Sequence, residues 1–226
     1  MTHTVHPYSH RLGILRDWKS RWFSADPKRY REFVKSDTAI RTFLAKRLRG
    51  MYVSDVDIER SEKVLRVIVR TSRPGVIIGR SGEGAQRLKR DVAHELARRA
   101  IADVPELKID IEEVKSPESN AAIVGQMIAE GLEKRMPFRR ILKQTVEKVM
   151  ANRDVIGVRI RIAGRLGGAD MARTEEIKRG RIPLQTFRAD IDFARVEAHL
   201  PYGVIGIKIW IYKGDVFSAK EGAKRS

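Results

Sequence analysis

Hydrophobic and polar residues along this chain follow two different periods, and the changes between them mark the predicted elements. Residues 1–36 have no sustained apolar period, and their many cations predict an extended basic arm that a partner orders. From Asp37 the apolar spacing becomes that of a helix, which Asp37 or Thr38 caps and Gly50 ends. The apolar face of this helix consists of Ile40, Phe43, Leu44 and Leu48.

Strict alternation follows in two segments that predict a β-hairpin. Residues 53–59 and residues 65–70 alternate with a period of two, and residues 60–63 form the predicted loop between them. The pattern then predicts a short helix, a longer amphipathic helix and a last strand, over residues 74–78, 82–101 and 107–111.

Between the two predicted helices lies the tetrapeptide Gly79-Arg80-Ser81-Gly82. Its glycines remove side chains where a nucleic-acid backbone would come close, and the helix that follows presents free N–H groups to phosphate. Arg80 adds a positive charge and Ser81 a hydroxyl. A plain corner between two helices would also use glycine, but the order helix, strand, strand, helix, GxxG, helix, strand is that of a type II KH domain. The sequence therefore predicts an RNA-binding KH domain over residues 37–115, with Gly79, Arg80, Ser81 and Gly82 as its RNA-binding loop.

A second domain is predicted over residues 116–217, because the pattern restarts at Ser116-Pro117. Two helices, over residues 117–135 and 138–152, precede three segments that alternate with a period of two. These segments cover residues 158–162, 187–193 and 205–211. We expect two helices packed on an antiparallel sheet with one polar face, so that the fold class of the chain is α+β. Residues 218–226 form a short basic tail.

The charge of the chain narrows the class of partner. Its 226 residues include 46 Lys and Arg against 29 Asp and Glu, a formal net charge of +17, which favours a polyanion as partner. No run approaches the ~18 apolar residues of a membrane-spanning helix, and we expect no secretory signal. Cysteine is absent, which excludes disulfides, Cys-ligated zinc and thiol catalysis and fits a reducing cytoplasm. Cations on nearly every element predict contact with phosphate on several sides.

An RNA-binding protein is not the only class that the sequence allows. Asp190 and Asp192 lie two apart on a predicted strand near Glu197, so they could bind Mg²⁺ for nuclease chemistry, but pairing with the many arginines is the favoured alternative. The phosphate-binding sequence GxxxxGK followed by Ser or Thr is absent, which excludes a P-loop GTPase. We therefore expect no enzyme, no catalytic residue, no metal site and no cofactor. A free-standing KH regulator is the other candidate.

Short motifs are distributed from about Val5 to Phe217. They are Val5-His6-Pro7 with Arg11-Leu12-Gly13, Arg73-Pro74-Gly75-Val76-Ile77-Ile78-Gly79, Phe138-Arg139-Arg140, Gly164-Arg165-Leu166-Gly167-Gly168-Ala169, Ala172-Arg173-Thr174-Glu175, Arg188-Ala189-Asp190-Ile191-Asp192 and Tyr202-Gly203-Val204-Ile205-Gly206. Together they resemble the S-three family of small-subunit ribosomal proteins, in its bacterial form.

The resemblance implies a structural constituent of the small ribosomal subunit head, which acts in translation in the cytoplasm. Its C-terminal domain and N-terminal arm would bind small-subunit ribosomal RNA, and its protein neighbours would include the S-ten and S-fourteen families. By the same resemblance, Arg139, Arg140 and Lys143 match basic residues that line the channel through which messenger RNA enters, where the family is linked to unwinding of structured messenger RNA. Arg139 and Lys143 are four residues apart and share a helix face, and a merely solvated face is the alternative hypothesis.

The charged stretch after the second glycine-rich motif is the last candidate site. Gly164-Arg165-Leu166-Gly167-Gly168 lacks the further glycine and the helix of a dinucleotide-binding turn. We interpret residues 172–180 as a mobile basic loop that contacts RNA, with an ordinary sheet connection as the alternative. Trp210 and Tyr212 are expected to pack against the helices or a protein neighbour rather than to stack on bases. The RNA-binding residues predicted in this region are Arg165, Arg173, Lys178, Arg179 and Arg181.

Overall fold

The computed structural model of the protein describes residues 5–99 and 106–217. The described residues form two compact units. One lies within residues 18–116 and is called the KH unit, and the other consists of residues 5–17 and 117–217 and is called the C-terminal unit. The predicted end of the longer KH helix and the predicted basic tail lie outside the described residues.

The KH unit contains three helices on one face of a four-stranded sheet. Its helices are α1 (Pro27–Arg47), α2 (Pro74–Ile78) and α3 (Glu83–Arg98). Its strands are β1 (Ser20–Arg21), β2 (Val53–Arg60), β3 (Val64–Thr71) and β4 (Glu106–Glu113). The sheet order is β1-β2-β3-β4, with β2 and β3 antiparallel and the two outer pairs parallel. From α1 onward, the observed order of elements is the one that the alternation and the helical spacing predicted.

The core of the KH unit lies between this sheet and the apolar stripes of α1 and α3. Alternate residues of β3 point into it, which is the period of two that the sequence shows. Its fully buried members include Ile40, Leu44, Ile58, Leu65, Val67, Val69, Val92 and Leu96.

Helix α1 begins at Pro27, so the predicted start at Asp37 is wrong, and so is the extended arm over the last part of residues 1–36. The side chain of Asp26 caps the helix by accepting a hydrogen bond from the N–H of Lys28 at 2.9 Å. Pro27 occupies the first turn, where its missing N–H costs nothing. The first turns of α1 are mostly exposed and carry no continuous apolar stripe, which is why the period did not reveal them.

Asp37 is a buried ion-pair partner inside α1 rather than a helix cap. Its Oδ1 lies 3.1 Å from a guanidinium nitrogen of Arg60, and its Oδ2 accepts a hydrogen bond from the indole N–H of Trp22 at 2.8 Å. The guanidinium of Arg60 also stacks over the ring of Phe33, with its carbon 4.2 Å from the ring centroid. These contacts hold the first turns of α1 against the end of β2 and the segment after β1.

The C-terminal unit has two helices on one face of an antiparallel sheet, as predicted. Its helices are α4 (Ala121–Glu133) and α5 (Phe138–Ala151). Its strands are β5 (Gly157–Gly164), β6 (Arg173–Gly180), β7 (Ala189–Leu200) and β8 (Gly203–Asp215). The sheet order is β6-β5-β8-β7, and each neighbouring pair is antiparallel. Its main core lies between the helices and the sheet and includes Ile128, Leu142, Val158, Ile160, Ile162, Ile207 and Ile209.

Two predictions for this unit are wrong. Residues 172–180 are not a loop, because residues 173–180 form edge strand β6, whose whole length pairs with β5. The second face of the sheet is not simply polar, because Trp210 and Tyr212 are buried there in a small apolar cluster with Ile191 and Ala189. These aromatic rings therefore pack on the face away from the main core and not against the helices.

Within the C-terminal unit, residues 5–17 pack on the sheet and cover part of that second face. The ring of His6 meets the ring of Phe193 edge-on at 4.7 Å between centroids, and the guanidinium of Arg11 is buried against backbone carbonyls. The predicted arm therefore divides into two parts, since its first part belongs to the C-terminal unit and its last part begins α1 of the KH unit.

No helix among the described residues is long and apolar enough to span a bilayer.

Candidate nucleic-acid interface

The GxxG loop joins α2 to α3 and is built from left-handed backbone. Gly79 has φ 71° and Gly82 has φ 80°, and between them Ser81 has φ 50°. Glycine adopts positive φ angles without strain and residues with a side chain rarely adopt them, so the path of the chain as well as any ligand favours glycine at positions 79 and 82. The N–H of Gly79 closes α2 by donating to the carbonyl of Gly75 at 3.0 Å.

The loop presents backbone and positive charge to solvent. Gly79, Arg80 and Ser81 are exposed, and Arg80 has no carboxylate partner within the described ranges. The N–H of Glu83 donates to the carbonyl of Arg80, but α3 has no side-chain cap, so the N–H groups after Glu83 in its first turn can bind phosphate oxygens. Glu83, in the first turn of α3, pairs with Arg87 at 3.3 Å, which offsets its negative charge at this site. The arrangement suits a phosphodiester backbone.

The loop depends on a close approach between α2 and α3. A Cβ atom on Gly84, in the first turn of α3, would lie 2.5 Å from the carbonyl oxygen of Ile77 and 2.9 Å from that of Ile78. No side chain fits at that distance, so Gly84 fixes how closely the two helices pack. The sequence shows this glycine two residues after the tetrapeptide, but its packing role was not predicted.

Helix α5 carries the second predicted set of cations. Arg139, Arg140 and Lys143 are all exposed, while the opposite side of the helix is buried in the main core. The buried stripe consists of Ile141, Leu142, Val146 and Val149. Arg140 and Lys143 have no carboxylate partner in the part of the chain that the structure describes. This face is therefore positive and accessible.

Strand β6 extends this positive face. Ile177 packs against the main core, so the residues two and four positions before it, Glu175 and Arg173, lie on the same side of the sheet as α5. Glu175 lies 3.3 Å from a guanidinium nitrogen of Arg139 and 3.8 Å from one of Arg173. We call the group Arg139, Arg140, Lys143, Arg173 and Glu175 the α5–β6 surface. Sequence reasoning missed the role of Glu175, although Ala172-Arg173-Thr174-Glu175 was among the motifs.

The other cations predicted in this region are not brought to the α5–β6 surface as one group. Lys178 lies on the opposite face of β6, where it is in register with Arg159. Arg179 lies two residues after Ile177 and therefore on the face of the sheet that the helices cover. Arg181 follows the end of the strand. All three are exposed.

Arg165 serves the glycine-rich turn that follows β5. It donates hydrogen bonds to the carbonyls of Ala169 at 2.9 Å and Tyr202 at 3.2 Å, and it pairs with Asp170 at 3.0 Å. These contacts close the turn around Gly167, which has φ 70°. Arg165 therefore holds the backbone of the turn, a role that its position in a glycine-rich motif did not reveal.

The carboxylates considered as a metal site pair with an arginine, which confirms the favoured alternative. Arg16 lies 3.3 Å from Asp190 and 3.4 Å from Asp192. Asp192 also accepts hydrogen bonds from the N–H of Ala121, at 2.9 Å, and from the hydroxyl of Tyr8. Within the described ranges, no three His, Asp or Glu side chains gather as a group that could hold a metal ion.

Burial and the neighbouring Asp192 hold the Tyr8 hydroxyl in its neutral form. Burial, and next the charge of Asp192, raise the pKa of Tyr8 well above its usual value, while Arg16 acts in the opposite direction. Its oxygen also accepts a hydrogen bond from the N–H of Phe193 at 3.1 Å. The carboxylate, the phenol and the guanidinium therefore form a structural network between residues 5–17 and strand β7.

Two family models match the chain, one for each unit. A KH domain model matches residues 39–119, and a model described as ribosomal protein S3, C-terminal domain, matches residues 128–211. These matches place the GxxG loop in the first region and the α5–β6 surface in the second.

Whole proteins that resemble this chain carry the name small ribosomal subunit protein uS3. The relative from Caldicellulosiruptor bescii is 44% identical over 99% of this chain and 97% of its own length. The relative from Alcanivorax borkumensis is 44% identical over 98% of this chain and 92% of its own length. The relative from Pseudomonas aeruginosa is 42% identical over 98% of this chain and 93% of its own length.

Proposed function

Because the chain belongs to the uS3 family of small ribosomal subunit proteins, we propose that it is a structural constituent of the head of the small subunit in the cytoplasm. The chain is a ribosomal protein with a KH domain and not an enzyme. The observation that carries the assignment is identity of 44% over nearly the whole of both chains, which includes both units and residues 5–17.

Small-subunit ribosomal RNA is the proposed principal ligand. A net charge of +17 on 226 residues provides affinity for phosphate through counterion release. The GxxG loop offers backbone N–H groups and Arg80 to a single-stranded segment, and shape rather than base identity determines the position of the protein. Proteins of the S-ten and S-fourteen families are proposed as neighbours because the whole family resemblance implies them.

Messenger RNA is the proposed ligand of the α5–β6 surface. Arg139, Arg140 and Lys143 are exposed cations on one rigid helix, and Arg173 on the neighbouring strand extends the same positive field. Exposed cations attract phosphate and do not discriminate between bases, which suits a strand that moves past the protein. The surface would line the channel through which messenger RNA enters and would help to open paired messenger RNA during translation.

Sedimentation of the tagged protein from a cell lysate tests the ribosomal assignment. We expect the protein to migrate with small subunits and to stay with them at high salt, because an integral component is held by shape as well as by charge. Its transfer to the soluble fractions at moderate salt would contradict the assignment and would support a free-standing KH regulator instead.

A further inference from the structure

A groove on the KH unit has no part in the GxxG loop or in the core. It has a volume of about 330 Å³ and lies where the first turns of α1 face the segment around β1. Its walls include Trp22, Tyr30, Val34 and Thr38. An aromatic groove next to a positively charged helix is the combination that single-stranded nucleic acid uses, because every base has a π-face and every nucleotide a phosphate.

The groove is preformed by buried contacts behind it. The indole N–H of Trp22 donates to Asp37 at 2.8 Å, and the Trp22 ring meets Tyr30 and Phe33 edge-on, with centroids 5.2 Å and 5.3 Å apart. Arg60 fixes Asp37 and Phe33 from the other side. Rings held in this way lose little conformational entropy when a ligand binds.

The aromatic and apolar side chains at the groove are open to solvent. Tyr30 is 52% exposed and Val34 is 42% exposed, and Phe23 in the neighbouring segment is 88% exposed. Exposed rings concentrated on one short stretch mark an interaction surface. Since about half of the Tyr30 side chain is exposed, its ring is accessible for stacking.

Three cations of α1 lie beside the groove. Lys28, Arg31 and Lys35 are three and four residues apart, so they form one stripe on the helix. None of them has a carboxylate partner within the described ranges, and Glu32 is the single acidic residue between Pro27 and Ser36. The stripe lies next to the helix face that carries Tyr30 and Val34, so a ligand can contact both faces together.

We propose that this groove binds single-stranded RNA, with one base stacked on the ring of Tyr30 and the backbone along Lys28, Arg31 and Lys35. The three cations favour an anionic ligand, and the exposed ring favours a nucleic acid, whose bases stack on aromatic side chains. The proposal extends the proposed function. It rests on that function only in taking RNA as the class of ligand. It adds a second RNA contact to the KH unit, at a place that the GxxG loop does not include.

Photo-cross-linking of the full chain to a short RNA that contains 4-thiouridine tests the proposal, with mass spectrometry to locate the attached residues. The background variant carries Arg80→Asp and Ser81→Asp, which place negative charge in the GxxG loop and remove competition from it. We expect cross-links within residues 19–38 in the wild type and in this background. Absence of cross-links from that segment in both proteins would overturn the proposal.

Substitutions at the groove separate stacking from general attraction. Tyr30→Ala should lower the cross-link yield in this segment by about fivefold or more, whereas Tyr30→Phe, which keeps the ring, should stay within about twofold of the wild type. The double variant Lys28→Glu with Lys35→Glu should lower the cross-link yield at low salt more than Tyr30→Ala does. Equal yields for Tyr30→Ala and Tyr30→Phe would contradict base stacking.

The same cross-link is then sought in small subunits that contain the photoreactive nucleotide in their ribosomal RNA. A cross-link to residues 19–38 supports the proposal, and protection of this segment by a neighbouring protein overturns it in favour of a protein contact. Failure of the protein to sediment with small subunits would remove the ribosomal assignment alone, because the cross-link to free RNA does not depend on ribosomes.

Discussion

The side-chain Nε–H of Arg11 donates a hydrogen bond to the carbonyl oxygen of Ala189 at 2.7 Å, and so joins the beginning of the chain to strand β7. The remaining nitrogens of the guanidinium donate to the carbonyls of Pro7, Thr186 and Leu184 at 2.8, 2.8 and 3.1 Å. Arg11 is only 1% exposed. A charged side chain at such depth is stable because carbonyl oxygens surround it.

Replacement of Arg11 should therefore destabilise the C-terminal unit. We expect Arg11→Ala to lower the free energy of unfolding by about 3 kcal/mol or more, since the four carbonyls lose their donor in a buried place. Arg11→Lys should recover only part of this loss, because an ammonium lacks the planar fork. Arg188→Ala, at an exposed arginine of the same unit, is the control. Urea unfolding followed by tryptophan fluorescence compares the stabilities of the three variants. Equal unfolding midpoints for Arg11→Ala and Arg188→Ala would contradict the prediction.

The buried Tyr8 hydroxyl should make the stability of the protein depend on pH in the alkaline range. Its folded-state pKa is raised by burial and by Asp192, so its contribution to stability is present below pH about 10, where the unfolded phenol is neutral. The contribution is lost as pH rises above that value, because only the unfolded chain then releases the proton. Tyr8→Phe should cost about 1.5–3 kcal/mol at neutral pH.

The difference in free energy of unfolding between wild type and Tyr8→Phe should therefore become smaller between about pH 9.5 and pH 11.5. Thermal unfolding of both proteins across this range measures it. The four other tyrosines, which both proteins share, cancel in the comparison. A difference that stays constant up to pH 11.5 would mean that Tyr8 is not held in its neutral form.

The sequence could predict those elements whose apolar residues repeat with a clear period. The alternation of β3 and the stripe of α5 appear directly as buried residues, and the GxxG loop lies between two helices as expected. Edge strand β6 was not predictable in this way, because only Ile177 among its residues faces the core. A strand whose other side chains are all polar has the pattern of a charged loop, and its hydrogen bonds to β5 become evident only in the sheet.

The start of α1 and the path of residues 5–17 depend on contacts between residues far apart in sequence. Asp37 has the residue type of a helix cap, but Arg60 and Trp22 make it a buried partner. Arg11 has the residue type of a surface cation, but carbonyls of the segment before β7 surround it. Local propensity cannot indicate such pairs, since neither partner has a special pattern of its own.

Gly84 provides a test of the packing behind the GxxG loop. An added methyl group would lie 2.5 Å from the carbonyl oxygen of Ile77, so Gly84→Ala should lower the stability of the KH unit by about 1–3 kcal/mol even though alanine favours helices. Gly75→Ala is the matched control, because nothing lies within 4 Å of its Cβ position. Hydrogen exchange of α2 and α3 measures the effect, and similar protection in both variants would contradict the steric argument.

Glu175 should limit the affinity of the α5–β6 surface for RNA. Its carboxylate pairs with Arg139 and Arg173, so Glu175→Gln should free both cations and raise the affinity for a short single-stranded RNA by about two- to fivefold at low salt. Glu176→Gln changes the net charge equally but acts on the opposite face, where Glu176 pairs with Arg159 at 2.7 Å. Fluorescence anisotropy compares the variants, and an equal gain for both would show that only net charge matters.

The last prediction concerns the proposed work of the α5–β6 surface during translation. Ribosomes with alanine at Arg139, Arg140 and Lys143 should assemble normally, because these side chains are exposed and contribute little to the core. They should translate a messenger RNA with a stable hairpin more slowly, by about threefold or more, since three cations that attract the incoming strand are lost. An unstructured message should be translated at the wild-type rate.

The matched control carries alanine at Lys134, Lys148 and Arg153, three exposed cations that lie directly after α4, on α5 and after α5. Both triple variants remove the same charge, so a general loss of attraction for RNA would slow both on every message. A defect confined to the first variant and to the hairpin message requires cations at one particular place, as the proposed channel does. Equal rates for the two variants on the hairpin message would remove the unwinding role from these three residues and leave them as an ordinary solvated helix face.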